Sequence, residues 1–238
     1  MDRNTSIGMG FSIFGALFAL FSHFIVLDVT LTSLGLACLI FGITVILIPS
    51  NPVPRSEIMR LVEASCVNIE ALLEEYDATE KAVYLPPRDG RVYAYVPLGS
   101  GLGNLDEIMK APLRVLTRTR GDPGLFIFTP GSEFTRLHSL NSESGLEEAL
   151  SLILVDTVEA VESLRALEDL SRVMIHLTNP RVDTIHPRFK SVLGSLPTSL
   201  AGSVLTAVKD APVLLVEEIM AGRILKAEFK VLSANGEA

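Results

Sequence analysis

Apolar residues run almost unbroken from Ile7 to Ile48, and the one sharp interruption is Asp28, inside "FIVLDVTLTS" (Phe24–Ser33). A single helix over these 42 residues would reach roughly 63 Å, about twice the hydrocarbon thickness of a bilayer. Two spans use the length without forcing oily side chains into water, and the pattern predicts them at 7–27 and 31–48. A carboxylate costs several kcal/mol at mid-bilayer and little at the interface. Asp28 is therefore expected at a hairpin turn, with Thr30 and Thr32 beside it to bond freed backbone groups.

Small residues mark the faces on which the two arms meet. Gly8, Ser12, Gly15, Ala19 and Ser22 form one stripe on the first arm, and Gly35, Cys38 and Gly42 form another on the second. Both repeat at a period near 3.5, which lets helix backbones approach closely in lipid. The expected contact is within the hairpin, although the same stripes suit a second copy. His23 lies one turn from the loop, close enough to the interface to reach headgroups.

Pro49, Pro52 and Pro54 then end the helical pattern and predict a stiff linker over 49–55. "SEIMRLVEASCVNIEALLEEY" returns to helical period, with Ile58, Leu61, Val62, Ser65, Ile69, Leu72 and Leu73 on one stripe and Ser56 as its cap. Alternating runs around Asp89-Gly90 predict a hairpin, and Leu113–Thr119 with Leu125–Thr129 predict a second around Gly-Asp-Pro-Gly. A helix is expected over Gly145–Leu167, followed by a strand at "RVMIHLTN". Helical text broken at Pro197, with Thr198 or Ser199 capping its second half, precedes two strands around Ala221-Gly222. The expectation is an α+β fold: an N-terminal transmembrane helical hairpin (1–48), then a cytoplasmic domain (56–232) of helices packed on a mainly antiparallel sheet. A flexible tail occupies 233–238.

Composition narrows the function. The chain has 238 residues and a mean hydropathy of +0.41. Beyond residue 53 it carries 19 Lys and Arg against 26 Asp and Glu, so nucleic acid, which needs a concentrated basic surface, is not an expected partner. The expected partners are the lipid bilayer and a protein, either another chain or a second copy. Arg3 precedes the first span, Arg55 and Arg60 follow the second, and the loop has no Lys or Arg. The positive-inside bias therefore predicts a two-pass protein of the cell membrane with both termini in the cytoplasm. Cys38 and Cys66 form no disulfide framework. The apolar run is too long for a cleaved signal peptide, and "GLAC" before Cys38 lacks the branched residue of a lipoprotein box.

Chemical motifs are few. Gly99, Gly101, Gly103 and Asn104 in "LGSGLGN" are weak ligand-binding candidates, because glycines before a helix can turn backbone N–H groups toward an anion. Asn104 breaks the dinucleotide spacing, and Asp106 and Glu107 place negative charge where a phosphate would sit. His176, Asp183 and His186 are spaced too widely for a metal site on one element. Ser132-Glu133 reads as a helix start, and Glu217-Glu218 falls on a strand with its acids on opposite faces. No catalytic residue, metal or cofactor is assigned.

"MRLVEASCVNIEALLEEY", "KAVYLPPRDGRVYAYVPL", "GLFIFTPGSEF" and "LAGSVLTAVKDAPVLLVEE", following two spans and a proline linker, together resemble an archaeal family of two-pass membrane proteins, haloarchaeal members among them. The resemblance implies an archaeal cell membrane. It carries no assigned activity and transfers no functional residue. The leading expectation is a membrane-held domain that binds a protein partner or itself. A tethered sensor of a small or lipid-like molecule comes second, and an unrecognised hydrolase or nucleotide enzyme ranks below both.

Overall fold

The structure, a computed structural model, describes residues 3–47, 55–99, 101–119, 122–181 and 186–232. The linker expected over 49–55 (Arg55 apart), Asp183 and the tail expected over 233–238 lie outside these residues. The chain divides into two compact units, Met1–Pro54 and Arg55–Ala238.

The first unit is a helical hairpin. α1 (Arg3–Phe21) runs into a π-helical turn (Ser22–Val26), and α2 (Val29–Leu47) returns beside it. Leu27, at φ 55°, ends the first arm. Asp28 then begins the second. Its carboxylate accepts from Thr30 N at 2.7 Å and Leu31 N at 3.3 Å, while the Thr32 hydroxyl donates to its carbonyl at 2.8 Å. A carboxylate at a helix N-terminus satisfies orphan backbone donors, so the charge that breaks the apolar run also starts the next helix. Both arms are long and apolar enough to cross a membrane. Their large side chains, such as Phe14, Leu17, Phe24 and Ile40, point outward.

The second unit is an α+β domain on one eight-stranded antiparallel sheet. Its strands are β1 (Val83–Arg88), β2 (Arg91–Pro97), β3 (Leu116–Thr119), β4 (Asp122–Phe128), β5 (Ser163–Asp169), β6 (Arg172–Thr178), β7 (Val213–Ala221) and β8 (Ile224–Val231), ordered β3-β4-β2-β1-β7-β8-β6-β5. Asp89 and Gly90 both take positive φ in a two-residue turn, the geometry that matches strand twist in a hairpin. Pro86 and Pro87 lack ladder donors, and the register of β1 slips between Leu85 and Arg88. β1 joins β7 only through Val83 and Tyr84.

One face of the sheet carries the main core. Helices α3 (Arg55–Glu75), α6 (Leu146–Ser151) with its π-helical continuation (Leu152–Thr157), α7 (Pro187–Leu193) and α8 (Leu196–Lys209) pack there. They meet inward side chains of every long strand, among them Tyr84, Ile127, Ile175 and Phe229. On the opposite face, α4 (Leu105–Lys110) closes a smaller core over Val83, Leu85, Tyr95 and Phe126. Helix α5 (Ser132–Leu137) follows β4.

Several expected boundaries move. The apolar stripe foreseen over 145–167 is real through Leu150, Ile153, Leu154, Val158 and Val161, all buried. The helix nevertheless stops at Thr157, Glu159 turns left-handed, and Ser163–Leu167 belong to β5. Helix formers in "SLRALED" yield to seven paired positions on β6. In the second hairpin Asp122, Pro123 and Gly124 are strand, not turn. Gly124 pairs with Pro97, and a Cβ on it would fall on the Tyr95 ring. The helical break falls at Gly194, with φ +84°, and not at Pro197. Ser195 is the cap residue, Pro197 sits in the first turn where its missing N–H costs nothing, and Thr198 and Ser199 lie inside α8. On α3 the buried apolar residues are Cys66, Ile69 and Leu73, with Glu70 buried beside them, while Leu61 is exposed.

Candidate interaction surface

The glycine loop is built as a connector. Gly101 N donates to Gly99 O, and Gly101 and Gly103 have positive φ with open space where a Cβ would point. Asn104 caps α4 by accepting from Asp106 N at 2.9 Å. With Asp106 and Glu107 in the first turn, α4 offers an anion neither free donors nor favourable charge.

The remaining candidates are dispersed. His176 lies on β6, and His186 precedes α7 as its cap residue. Among the described residues, no three metal-binding side chains gather. Ser132 Oγ accepts from Val92 N at 2.9 Å, which fixes α5 to the β2 hairpin. Glu217 pairs opposite Glu228, whereas Glu218 turns inward and accepts from Ser195 N at 2.7 Å.

Buried polar groups lie instead between the helices and the sheet. Glu70 of α3 accepts from Arg188 N at 2.9 Å and from Phe189 N, capping α7 from a neighbouring helix. Tyr84 donates to Leu193 O at 2.6 Å. Ser203 joins Thr129 at 2.9 Å, and Thr206 reaches Ala211 O at 2.6 Å. Burial pushes the Tyr84 phenol up and holds the Lys81 ammonium below its usual range, with Glu218 and Glu217 opposing the shift in Lys81. The Cys66 thiol is pushed up to about 11, chiefly by burial, against a hydrogen bond with Ser65. A thiol held protonated is a poor nucleophile. The seam caps helices and fixes their register.

In the hairpin unit the small residues meet across the two arms. A Cβ on Gly8 would stand 2.8 Å from Gly42 O, and one on Gly42 would stand 2.5 Å from Ser12 N. Gly15 abuts Gly35 O and the Cys38–Leu39 backbone, and Gly35 abuts Ala19. Ser22 is buried in the π-helical turn. Among the described residues, the Ser12 and Ser22 hydroxyls have no hydrogen-bond partner.

Among the described residues, two open surfaces of the domain bear on binding. A shallow groove of about 260 Å³ is lined by Leu61, Val62, Phe128, Pro130 and Phe134, with Ser65, Thr129 and Glu133 at its polar edges. The larger surface is the outer face of β7 beyond Leu214, β8, β6 and β5, on which no described helix of this unit packs. Register places its side chains in rows across the strands. Ile219, Lys226, His176 and Arg165 form one row, and Glu217, Glu228, Met174 and Leu167 form the next. Lys230, Arg172 and Asp169 continue the series. Leu167, Met174, Ile219 and Ile224 are exposed there, as is Val216 in the β7 bulge. Arg172 pairs with Glu228 at 2.6 Å. Among the described residues Arg165 and Lys226 make no ion pair, and His176 Nε2 is buried without a partner. The sequence hid this surface because Leu167 and Arg165 read as helix; alternation in "RVMIHLT" and "RILKAEFKV" was the only signal.

No family model, curated protein or solved structure matches the chain.

Proposed function

We propose that this is a two-pass membrane protein that holds its α+β domain on the cytoplasmic side and docks a protein partner on the open half of the sheet. The outer face of β5–β8 carries the reading. An antiparallel sheet with one solvated face ordinarily alternates apolar-in and polar-out. Here the solvated face holds four large apolar side chains and two cations that make no ion pair among the described residues, the mixture expected of a recognition surface. The membrane part rests on two apolar helices joined tightly by small residues, with apolar bulk turned outward. The basic residues flanking the hairpin support cytoplasmic termini, and the resemblance to archaeal two-pass proteins supports an archaeal cell membrane.

Photo-crosslinking residues placed at Leu167 and Met174 in native membranes test the docking. A discrete protein adduct at both sites, and none from the exposed Lys190 of α7, is the expected result. Equal yields at all three sites would remove the basis for a specific face. Reporters fused to the two termini test the topology, and labelling from opposite sides of the membrane would refute it.

The apolar groove beside Leu61 and Phe128 supports a second reading, a sensor of a small lipid-like ligand. Its volume falls just below the usual range for ligand sites, which places it second. Native mass spectrometry of the purified chain would show a retained small-molecule mass if that reading holds.

A further inference from the structure

Resting on the docking reading above, we infer that the partner is a second copy of this chain, packed face to face through β5–β8 about a two-fold axis running across the strands. Charge and its spacing on this face select a second copy. The row containing Lys226 and Arg165 lies two residues along the strands from the row containing Glu228 and Glu217. An axis in the plane between two facing sheets, perpendicular to the strands and midway between these rows, exchanges them. It sets Lys226 over Glu228 of the second copy and Glu228 over its Lys226. The same operation brings His176 over Met174, Arg165 over Leu167 and Ile219 over Glu217, so apolar stems and rings flank the charged pairs on both sides.

Within one copy the charges are unbalanced. Glu217 and Glu228 stand directly opposite each other on β7 and β8, a like-charged cross-strand arrangement that is unfavourable alone. Among the described residues Arg172 pairs with Glu228, while Lys226 has no ion pair. An isologous contact supplies Lys226 with a carboxylate and Glu228 with a second cation from the other copy, as self-complementary dimers do. Aligned sheet packing tolerates the required geometry.

The area sets the strength. Four strands of about eight residues present a face of roughly 500 Å², below the about 800 Å² per partner of a standard stable interface. The dimer is therefore weak in dilute detergent and forms when the hairpin confines copies to a bilayer, where effective concentration is high.

The test uses the full chain in lipid vesicles at fixed density, with donor and acceptor fluorophores at the carboxyl terminus, and circular dichroism to confirm folding. Lys226→Glu and Glu228→Lys, both on the open face, should each lower the apparent association constant about tenfold or more through like-charge contacts. The double variant should return it to within about threefold of wild type, because the exchanged charges meet again. Energy transfer at the random-proximity level in wild type, insensitivity to the single changes, or no rescue in the double variant would each overturn the dimer. If self-association fails while crosslinkers at Leu167 and Met174 still capture a different protein, the docking surface stands without the second copy. If both fail, the docking reading fails with it.

Discussion

α2 and the segment Pro187–Lys209 are alike by hydropathy and length, since each is apolar enough to cross a membrane, but they solve opposite problems. In α2 only 11% of the apolar window is buried, against 94% in Pro187–Lys209. The second segment is also broken by Gly194 into helices of 7 and 14 residues, and 14 residues reach only about 21 Å, short of a hydrocarbon core. Its Ser203 and Thr206 turn inward to Thr129, Tyr84 and Ala211. The α2 threonines bond their own helix backbone, as Thr44 does to Ile40 O. Hydropathy thus reports how much apolar surface a helix owns. Which solvent receives it depends on where the bulky residues and the small ones point.

Truncating one side chain in each helix sharpens that contrast most. Leu200→Ala removes a fully buried side chain of α8 and should destabilise the domain by about 2–5 kcal/mol. Ile40→Ala removes an outward side chain of α2 and should change hairpin stability by no more than about 0.5 kcal/mol. Thermal melts followed by circular dichroism for the first, and titration from mild detergent into dodecyl sulfate for the second, give both numbers. Equal losses at the two sites would break the comparison.

The Cys66 thiol probes the same burial through reactivity. Its folded value, about 11, lies above the ordinary 9.0, so at pH 8 its thiolate fraction is about a hundredfold below that of a free thiol. Iodoacetamide should modify Cys66 about a hundredfold faster in denaturant than in the folded chain. Because the folded value is raised, the linked stability is fully present below pH 9 and is lost as pH rises through about 11. Labelling of native Cys66 at the rate of a free thiol would show that α3 does not seal this edge of the core.

Enlarging a contact residue of the hairpin gives the next effect. Gly15→Leu places a side chain against Gly35 O and the Cys38–Leu39 backbone, and overpacking of this kind costs about 1–3 kcal/mol. Gly10, with open space around it, is the control. Gly10→Leu should leave the dodecyl sulfate midpoint unchanged.

These contrasts also explain which parts of the fold were legible. The hairpin announced itself because one charge, Asp28, sits where two long apolar helices meet, and the Asp89-Gly90 turn was equally local. β5 was hidden: "SLRALED" has helix-forming composition, and only its ladder to β6, fixed by residues elsewhere in the chain, makes it a strand. The break before α8 was displaced for a similar reason. Pro197 is the conspicuous residue, yet proline suits a first helical turn, and the left-handed Gly194 does the breaking. The open face needed both β5 and the knowledge that α4 covers only the other half of the sheet, and neither is written in any short stretch.

The smallest expected effect separates strain from recognition at the rim of that face. Leu170, in the turn between β5 and β6, is fully exposed and left-handed at φ 41°, a conformation that costs a leucine roughly 1 kcal/mol and glycine almost nothing. Leu170→Gly should therefore stabilise the isolated copy by about 0.5–1 kcal/mol, read from the thermal midpoint at low protein density. A leucine kept in a strained, solvated turn beside Leu167 makes sense if a docked surface covers it. The same substitution should then weaken association in vesicles while it strengthens the fold. Opposite signs in the two measurements would assign the turn to the docking face. A gain in both would leave Leu170 as strain alone and confine that face to the strands.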